Sequence, residues 1–414
     1  MSKATMKRYD AYKDSGVEWL GEVPEHWEVK RVKDLSRLQS GDSIVSEQIE
    51  EKGKYPVYGG NGLRGYYSKY TNNGEYILIG RQGALCGNIN YASGKFWASE
   101  HAVVAYLKQS IDMKWYGEML RIMNLNQYSL AAAQPGLAMD RIKRLLLPVP
   151  PFPEQTAIAA YLDIKTAQLD RKIDLLTQKA TQYGKLKQSL INETVTRGLD
   201  KSVAMKDSGV EWIGEVPEHW DVKRFKEIFN KTHTGWTPDT NKRECFEGDN
   251  IWVTIRDMSN SHVSDSLNKL SDKAINEAGI PITPKGSLLF SFKLSIGKIA
   301  FSECDLYTNE AIISIEDEIN INLNYFYYTL PIFLILNAKE NIYGAKLLNQ
   351  SLIFNTLLLS PPKGEQKAIA DYLDTKTTHV DRIVETINTQ IEKLKELRKT
   401  MINDVVTGKI KVAK

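Results

Sequence analysis

Chemistry on a nucleotide or a nucleobase leaves recognisable residue sets, and this chain approaches three of them without completing one. Methyl transfer to an exocyclic amine needs Asn or Asp ahead of a Pro-Pro-aromatic segment, to accept a hydrogen bond from the amine. The nearest match is Val149-Pro150-Pro151-Phe152, and a valine side chain accepts nothing. A phosphate-cradling G-x-x-x-x-G-K-[ST] loop is absent; Gly297-Lys298 lacks both the upstream glycine and the following hydroxyl. The single Pro-Asp pair, Pro238-Asp239, has no Asp/Glu-x-Lys in the following thirty residues to build a nuclease core. Six histidines, none spaced i,i+4, give no metal signature, so no metal site is expected. Three cysteines (Cys86, Cys245, Cys304) are odd in number, scattered and never in a C-x-x-C pair. They argue against a thiolate zinc site or a disulfide framework and fit a reducing cytoplasm. The expectation is a protein with no catalytic residues of its own.

The elements that must carry any other activity come from the bulk of the chain. At 414 residues, with 42% hydrophobic and 25% charged content, it can form two to four domains with proper cores. No apolar run approaches membrane-spanning length, and Met1–Asp14 is too polar for a signal peptide, so a cytoplasmic protein with no membrane contact is expected. A formal charge of +3 is only mildly basic.

Internal repetition is the dominant feature. Asp14–Arg31 (DSGVEWLGEVPEHWEVKR) and Asp207–Arg224 (DSGVEWIGEVPEHWDVKR) agree at sixteen of eighteen positions with an offset of 193. A second repeat has an offset of 211: Glu154–Asp163 (EQTAIAAYLD) against Glu365–Asp374 (EQKAIADYLD), each after a proline pair, Pro150-Pro151 and Pro361-Pro362. Proline followed by an acidic residue suits a helix start. Downstream, Leu162, Leu169, Ile173, Leu176, Ala180, Tyr183, Leu186 and Leu190 recur at steps of three, four and seven. Leu373, Val380, Val384, Ile387, Ile391, Leu394, Leu397 and Met401 keep the same pattern. This is the apolar stripe of a helix of about forty residues, roughly 60 Å long. Each copy finds its only partner of matching length in the other, which predicts an antiparallel coiled-coil pair with these residues as its core.

Between the repeats, segments 32–150 and 225–360 differ strongly in sequence. Faint kinship survives: Leu78-Ile79, Gly87, Ile89 and Glu100 align at an offset of 210 with Leu288-Leu289, Gly297, Ile299 and Glu310. Short strand-like runs (Tyr76–Ile79, Ser287–Phe292, Ala311–Ile315) among Gly and Asn turns predict two mixed α/β domains of one fold with unlike surfaces.

Two divergent domains and two conserved helices in circularly repeated order resemble the specificity subunits of type I restriction-modification enzymes. The most specific marks are the PP-x-x-EQ-x-AIA-x-YLD starts at Pro150 and Pro361 and the paired WxGEVPEHW segments; Tyr55-Pro56-Val57-Tyr58-Gly59-Gly60-Asn61-Gly62 also looks like one class of target recognition domain. The resemblance spans the chain. It implies two target recognition domains in a pseudo-twofold arrangement, separated by the long antiparallel two-helix coiled coil, each reading half of a bipartite site in double-stranded DNA. It implies docking of two modification (methyltransferase) subunits, with restriction (translocase/nuclease) subunits joining them. No cofactor is expected in this chain; S-adenosylmethionine, ATP and Mg belong to those partners. The corresponding segments are 1–152 (frame plus first recognition domain), 153–200 (central helical spacer), 201–362 (frame plus second recognition domain) and 363–414 (C-terminal helical spacer).

Base-reading candidates are polar or basic residues in Gly-rich loops. They are Lys54, Tyr58, Asn61, Arg64, Arg81 and Gln82 in the first domain, and Thr234, Trp236, Arg243, Arg256, Lys293 and Lys346 in the second. Arg can fork onto guanine, and Asn or Gln onto adenine. Segment 32–150 carries 14 Lys+Arg against 10 Asp+Glu, and 225–360 carries 12 against 16. The second reader therefore gains little from phosphate attraction. His26-Trp27 and His219-Trp220 occur in both frames; shared residues cannot discriminate unlike half-sites, so they are expected to pack the frame onto the helices. Charged helix residues (Lys165, Arg171, Lys185, Lys376, Arg382, Lys395) are expected to face solvent or partners. The competing reading is a non-catalytic coiled-coil scaffold presenting two divergent protein- or ligand-binding domains. A fragment of a fused methyltransferase is disfavoured by the two full repeats.

Overall fold

A computed structural model describes residues 7–412 except 84, 130–135, 240, 341–343 and 345. The chain packs as two units. The first comprises residues 1–177 and 388–414, the second 178–387. Each therefore takes one half of both long helices, the central helix Phe152–Arg197 and the C-terminal helix Lys363–Val406.

In the first unit, the frame repeat forms a hairpin of β1 (Tyr12–Asp14) and β2 (Glu22–Pro24). Strand β3 (Glu28–Arg31) then enters the variable segment. Within that segment lie β4 (Ser36–Ser40), β5 (Tyr55–Gly59), β6 (Gly62–Tyr67), β7 (Asn72–Asn73), β8 (Tyr76–Gly80), β9 (Ile89–Ala92), β10 (Lys95–Ala98) and β11 (Ala102–Leu107). They make two four-stranded sheets, ordered β4-β11-β8-β9 and β6-β5-β10-β7. The alternation along β8 and β11 is lost because both faces are covered, which suits their apolar runs. Helix Met113–Ile122 starts at Asp112, whose carboxylate accepts from the Trp115 N–H at 3.0 Å, and buries Trp115, Tyr116, Met119 and Leu120. Strand β12 (Leu146–Val149) pairs antiparallel with β3, so the segment leaves where it entered.

The second unit repeats this plan. Strands β13 (Met205–Asp207), β14 (Glu215–Pro217) and β15 (Asp221–Arg224) are the second frame. Strands β16 (Thr232–Thr234), β17 (Asn250–Val253), β18 (His262–Val263), β19 (Asn268–Leu270), β20 (Leu288–Ser291), β21 (Ile299–Ser302), β22 (Tyr307–Thr308) and β23 (Ile312–Ile315) make sheets β16-β23-β20-β21-β18 and β19-β17-β22. The strand Leu357–Ser360 closes the segment against β15.

The two domains share one register, with a correction to the expected alignment. Ile79 pairs with Ile89 and Val103, whereas Phe290 pairs with Ile299 and Ile313. Leu78-Ile79 therefore corresponds to Leu289-Phe290, not Leu288-Leu289; β8 carries an offset of 211 while β9 keeps 210. One residue is gained between strands in the first unit, and a slip of one would turn every side chain to the wrong face. Gly41 and Gly235 mark another shared point. The next amides, of Asp42 and Trp236, donate to the Ala98 and Thr308 carbonyls at 2.9 and 3.0 Å. A Cβ on either glycine would lie 2.2 or 1.6 Å from that same carbonyl oxygen, so only glycine allows the approach.

Within the first unit Arg398 pairs with Asp170 at 2.9 Å, and within the second Lys187 pairs with Asp381 at 2.6 Å. The step is seventeen residues along each helix in opposite directions, the signature of antiparallel pairing, and the two pairs are each other's repeat equivalents at the offset of 211. Of the expected seam, Leu162, Leu373, Val380, Ile387, Ile391 and Met401 are buried; Leu169, Ile173, Leu176, Ala180, Tyr183, Leu190, Val384 and Leu394 are half-buried. Leu186 and Leu397 need correcting: they are 56% and 49% exposed. The stripe steps instead to Lys187 and Arg398, whose aliphatic stems cover the seam while their charges reach the opposite carboxylates.

In the second unit the chain passes without a break from the central helix into β13. At the equivalent place in the first unit, the Lys411 N–H donates to the Lys7 carbonyl at 2.8 Å, and Tyr12 Oη donates to the Gly408 carbonyl at 3.2 Å. The segment after the C-terminal helix thus adjoins the segment before β1, which is what a circularly repeated order requires.

Candidate nucleic-acid interface

The frame must hold each variable domain on its helices, and a helix-start carboxylate, buried in the first unit and half-buried in the second, does so in both. Glu154, in the first turn of the central helix, accepts from Trp27 Nε1 at 3.3 Å and meets His26 Nε2 at 2.9 Å; Tyr9 Oη also donates to it. Glu365 repeats this with Trp220 Nε1 at 3.0 Å and His219 Nε2 at 2.8 Å. Both indoles are fully buried. Burial first, and the Glu154 hydrogen bond second, hold the Tyr9 phenol protonated well beyond its ordinary range. A carboxylate at a helix start also answers the helix dipole.

The equivalent strand ends of the two domains collect several of the candidates. In the first unit the β5–β6 turn rests on the end of β8: a Cβ on Gly60 would lie 3.1 Å from the Gln82 carbonyl, and one on Gly80 would lie 2.1 Å from the Gly60 carbonyl. This brings Asn61, Arg81 and exposed Gln82 onto one loop cluster. Arg81 donates to Ser40 Oγ at 3.1 Å, and Asn88 Nδ2 donates to Asn61 Oδ1 at 2.8 Å. Arg64 is exposed at the bulge of β6, its methylenes lying over Gly59. The cluster also contains Asn88 and Asn90, which sequence reasoning did not single out. Asn90 Oδ1 would lie 3.2 Å from a Cβ on Gly62, and its Nδ2 is buried without a hydrogen-bond partner among the described residues. Their signal was available, as asparagines flanking the Gly87 turn, but which face they take depends on the β8–β9 register.

Two candidates stand elsewhere. Tyr58 packs edge-on against Phe96 (centroids 5.6 Å apart) and lines a small buried cluster, while Lys54 lies 5.2 Å from the Tyr55 ring at the far end of the hairpin.

In the second unit the same strand ends carry Thr234 and Lys293. Thr234 is the counterpart of Ser40 by its pairing with Ile313, and Lys293 the counterpart of Gln82 by the Phe292 N–H bond to Ala311. Thr234 Oγ1 accepts from Gln350 Nε2 at 3.0 Å. Lys293 is exposed beside Phe292; Lys346 is tied back to the Ile335 carbonyl at 3.3 Å. Trp236 is 38% exposed and its carbonyl accepts from Trp252 Nε1 at 3.0 Å. Arg243 and Arg256 are exposed on two separate loops, before β17 and after it.

Each unit thus presents the same scaffold with different polar side chains at its strand ends, as two readers of unlike sequences would. The family profile of the type I restriction modification DNA specificity domain matches twice, over residues 24–182 and 217–393, once per unit. The chain belongs to the type I restriction-modification specificity subunits. A specificity subunit of Escherichia coli, EcoprrI, is 40% identical over 187 residues, 44% of each chain, so that alignment spans less than half of either protein. The MjaVIII specificity subunit of Methanocaldococcus jannaschii is 23% identical over 94% of each chain. A chain in a solved structure of type I R-M complex assembly superposes with a TM-score of 0.71 at 15% identity, over 93% of this chain and 98% of that one. That last likeness bears on the fold. Among the described residues of this specificity subunit, no three His, Cys, Asp or Glu side chains are grouped to hold a metal ion. No described helix is long and apolar enough to cross a membrane.

Proposed function

We propose that the chain directs a type I enzyme to a bipartite site in double-stranded DNA, each unit reading one half. The observation that carries this is the shared scaffold with unshared strand-end residues: Ser40, Arg81 and Gln82 in one unit stand where Thr234, Phe292 and Lys293 stand in the other. Arg81, Gln82, Asn61 and Arg64 supply base contacts in the first unit, with Asn88 and Asn90 beside them. Thr234 and Lys293 do so in the second, with Trp236, Arg243, Arg256 and Lys346 in support. Two modification subunits dock on the paired helices and restriction subunits join them; S-adenosylmethionine, ATP and Mg are bound by those partners. The complex works in the cytoplasm.

The chain's part is positional. Side chains on strand ends are held by the sheet, so their donors and acceptors meet base edges in a fixed frame, and a wrong base leaves them unpaired at about 1–3 kcal/mol per position. The purified chain is expected to transfer no methyl group and to bind duplex weakly, with strong salt dependence. The check is a filter-binding and radiolabelled S-adenosylmethionine assay on the chain alone; methyl transfer would contradict the proposal, and tight salt-resistant binding would contradict the division of labour.

A further inference from the structure

Sheet β6-β5-β10-β7 of the first unit and sheet β19-β17-β22 of the second are counterparts that differ in what covers them. Each has a central strand with an antiparallel neighbour on one side and a parallel one on the other: Val57 faces Trp97 in β10, and Trp252 faces Tyr307 in β22. In the second unit the outer face, Trp252, Leu270 and Tyr307, is roofed by helix Asp272–Ala278 through Ile275, and by Ile280. Lysines near it are ion-paired, Lys273 with Glu244 and Glu277, and Lys269 with Asp265.

In the first unit the connection from β6 to β8 is 68–75, against 271–287 between β19 and β20 in the second. Those fewer residues leave no room for a roof helix. The face instead shows Tyr55, Tyr67, Tyr70 and Trp97. Tyr55 meets Tyr70 edge-on at 5.0 Å and Tyr67 meets Trp97 at 5.2 Å. Trp97 Nε1 donates to the Asp42 carbonyl at 3.2 Å, which fixes that ring, and Tyr70 is 44% exposed. Lys95 Nζ lies 4.9 Å from the Tyr70 ring and Lys54 Nζ 5.2 Å from the Tyr55 ring. Both lysines are exposed, and neither has a carboxylate in ion-pair range among the described residues, although Glu50 and Glu51 lie nearby in sequence.

We propose that this aromatic and lysine face grips the sugar-phosphate backbone of duplex DNA flanking the bases read by the first unit. The inference rests on the reading under Proposed function. Two uncompensated ammonium groups are phosphate ligands by charge, and fixed rings beside them offer apolar edges to deoxyribose without reading any base. The position fits. The face lies on the same hairpin whose turn carries Asn61, and five strand residues at about 3.3 Å put it roughly 15 Å from that turn. Along a duplex rising about 3.4 Å per pair, that is four or five base pairs. Lys54 is thereby reassigned from base contact to backbone contact. The charge asymmetry follows: the reader with excess Lys and Arg carries the grip, and the roofed, acidic one does not.

The test uses the full chain assembled with its modification subunits, wild type against the K54Q/K95Q double variant, on duplexes carrying the recognised motif. Each lost phosphate contact lowers the slope of log affinity against log salt by about 0.9. The double variant is expected to show a slope shallower by about two on long duplexes, with the preference for the recognised motif over a scrambled duplex retained. An unchanged slope on long duplexes overturns the proposal. So does a variant that assembles poorly with the modification subunits while binding DNA normally, which would assign the face to a protein partner. The underlying reading fails separately, when the wild-type assembly itself binds its motif no better than a scrambled duplex.

Discussion

Replacing residues 32–150 with the corresponding segment of a relative is expected to rewrite one half of the recognised motif and leave the other half intact, and replacing 225–360 is expected to do the converse. Each variable segment enters and leaves through one antiparallel neck, β3 with β12 and β15 with Leu357–Ser360. The joints therefore lie side by side, on frames that agree at sixteen of eighteen positions. The constraint is the surface facing the helices: Trp115, Tyr116 and Met119 share a core with Ile158, Leu162, Met401 and Val405, so the donor segment must keep apolar residues there. With each mismatched pair costing about 1–3 kcal/mol, a half-motif of three read pairs is disfavoured by at least a hundredfold after exchange. Methylation mapping of cells carrying the chimera checks this; a change in both halves from one exchange would refute independent readers.

The second large effect concerns length. Four residues added near Gln178–Gln182, with four more at the equivalent place near Thr389–Lys393, lengthen both helices by about 6 Å and turn each by about 400°, within about 40° of a full turn. Asp170–Arg398 and Lys187–Asp381 lie on opposite sides of the paired insertions, so each unit keeps its own helix contacts. The unread gap between half-sites is expected to grow by one or two base pairs, each about 3.4 Å, with both half-motifs unchanged. Two or three residues turn the helix by about 200° or 300° and misdirect one unit's stripe, from Leu176 to Leu190; assembly and methylation should then fall sharply. Methylation mapping and gel filtration with the modification subunits give the readouts. A mutant that methylates with an unaltered gap would show that the helices are not the ruler.

What was legible in sequence is what repeats. The frames, the long helices and the existence of two related domains follow from offsets of 193 and 211, because identical residues must build identical local structure. Periodicity placed most of the apolar stripe but not Leu186 and Leu397, because lysine and arginine stems take the positions one residue on, and no hydropathy pattern marks an aliphatic stem as seam. The β8–β20 correspondence was off by one, since an inserted residue in a turn costs nothing that composition reveals. The loops were least legible. Tyr58 reads as an exposed turn aromatic yet packs on Phe96, and Asn88 and Asn90 reach Asn61 and Gly62 only through strand pairing. Side-chain direction in Gly-rich segments is set by register, which sequence alone leaves open.

The most direct test is a genome-wide map of methylated adenines in cells with and without this gene, the modification subunit being present in both. The predicted result is one split motif, two short specified blocks around a fixed unspecified gap, methylated when the gene is present and wholly unmethylated when it is deleted. Methylation of the same motif after deletion, or a gene-dependent motif that is continuous, would contradict the account of two readers joined on paired helices.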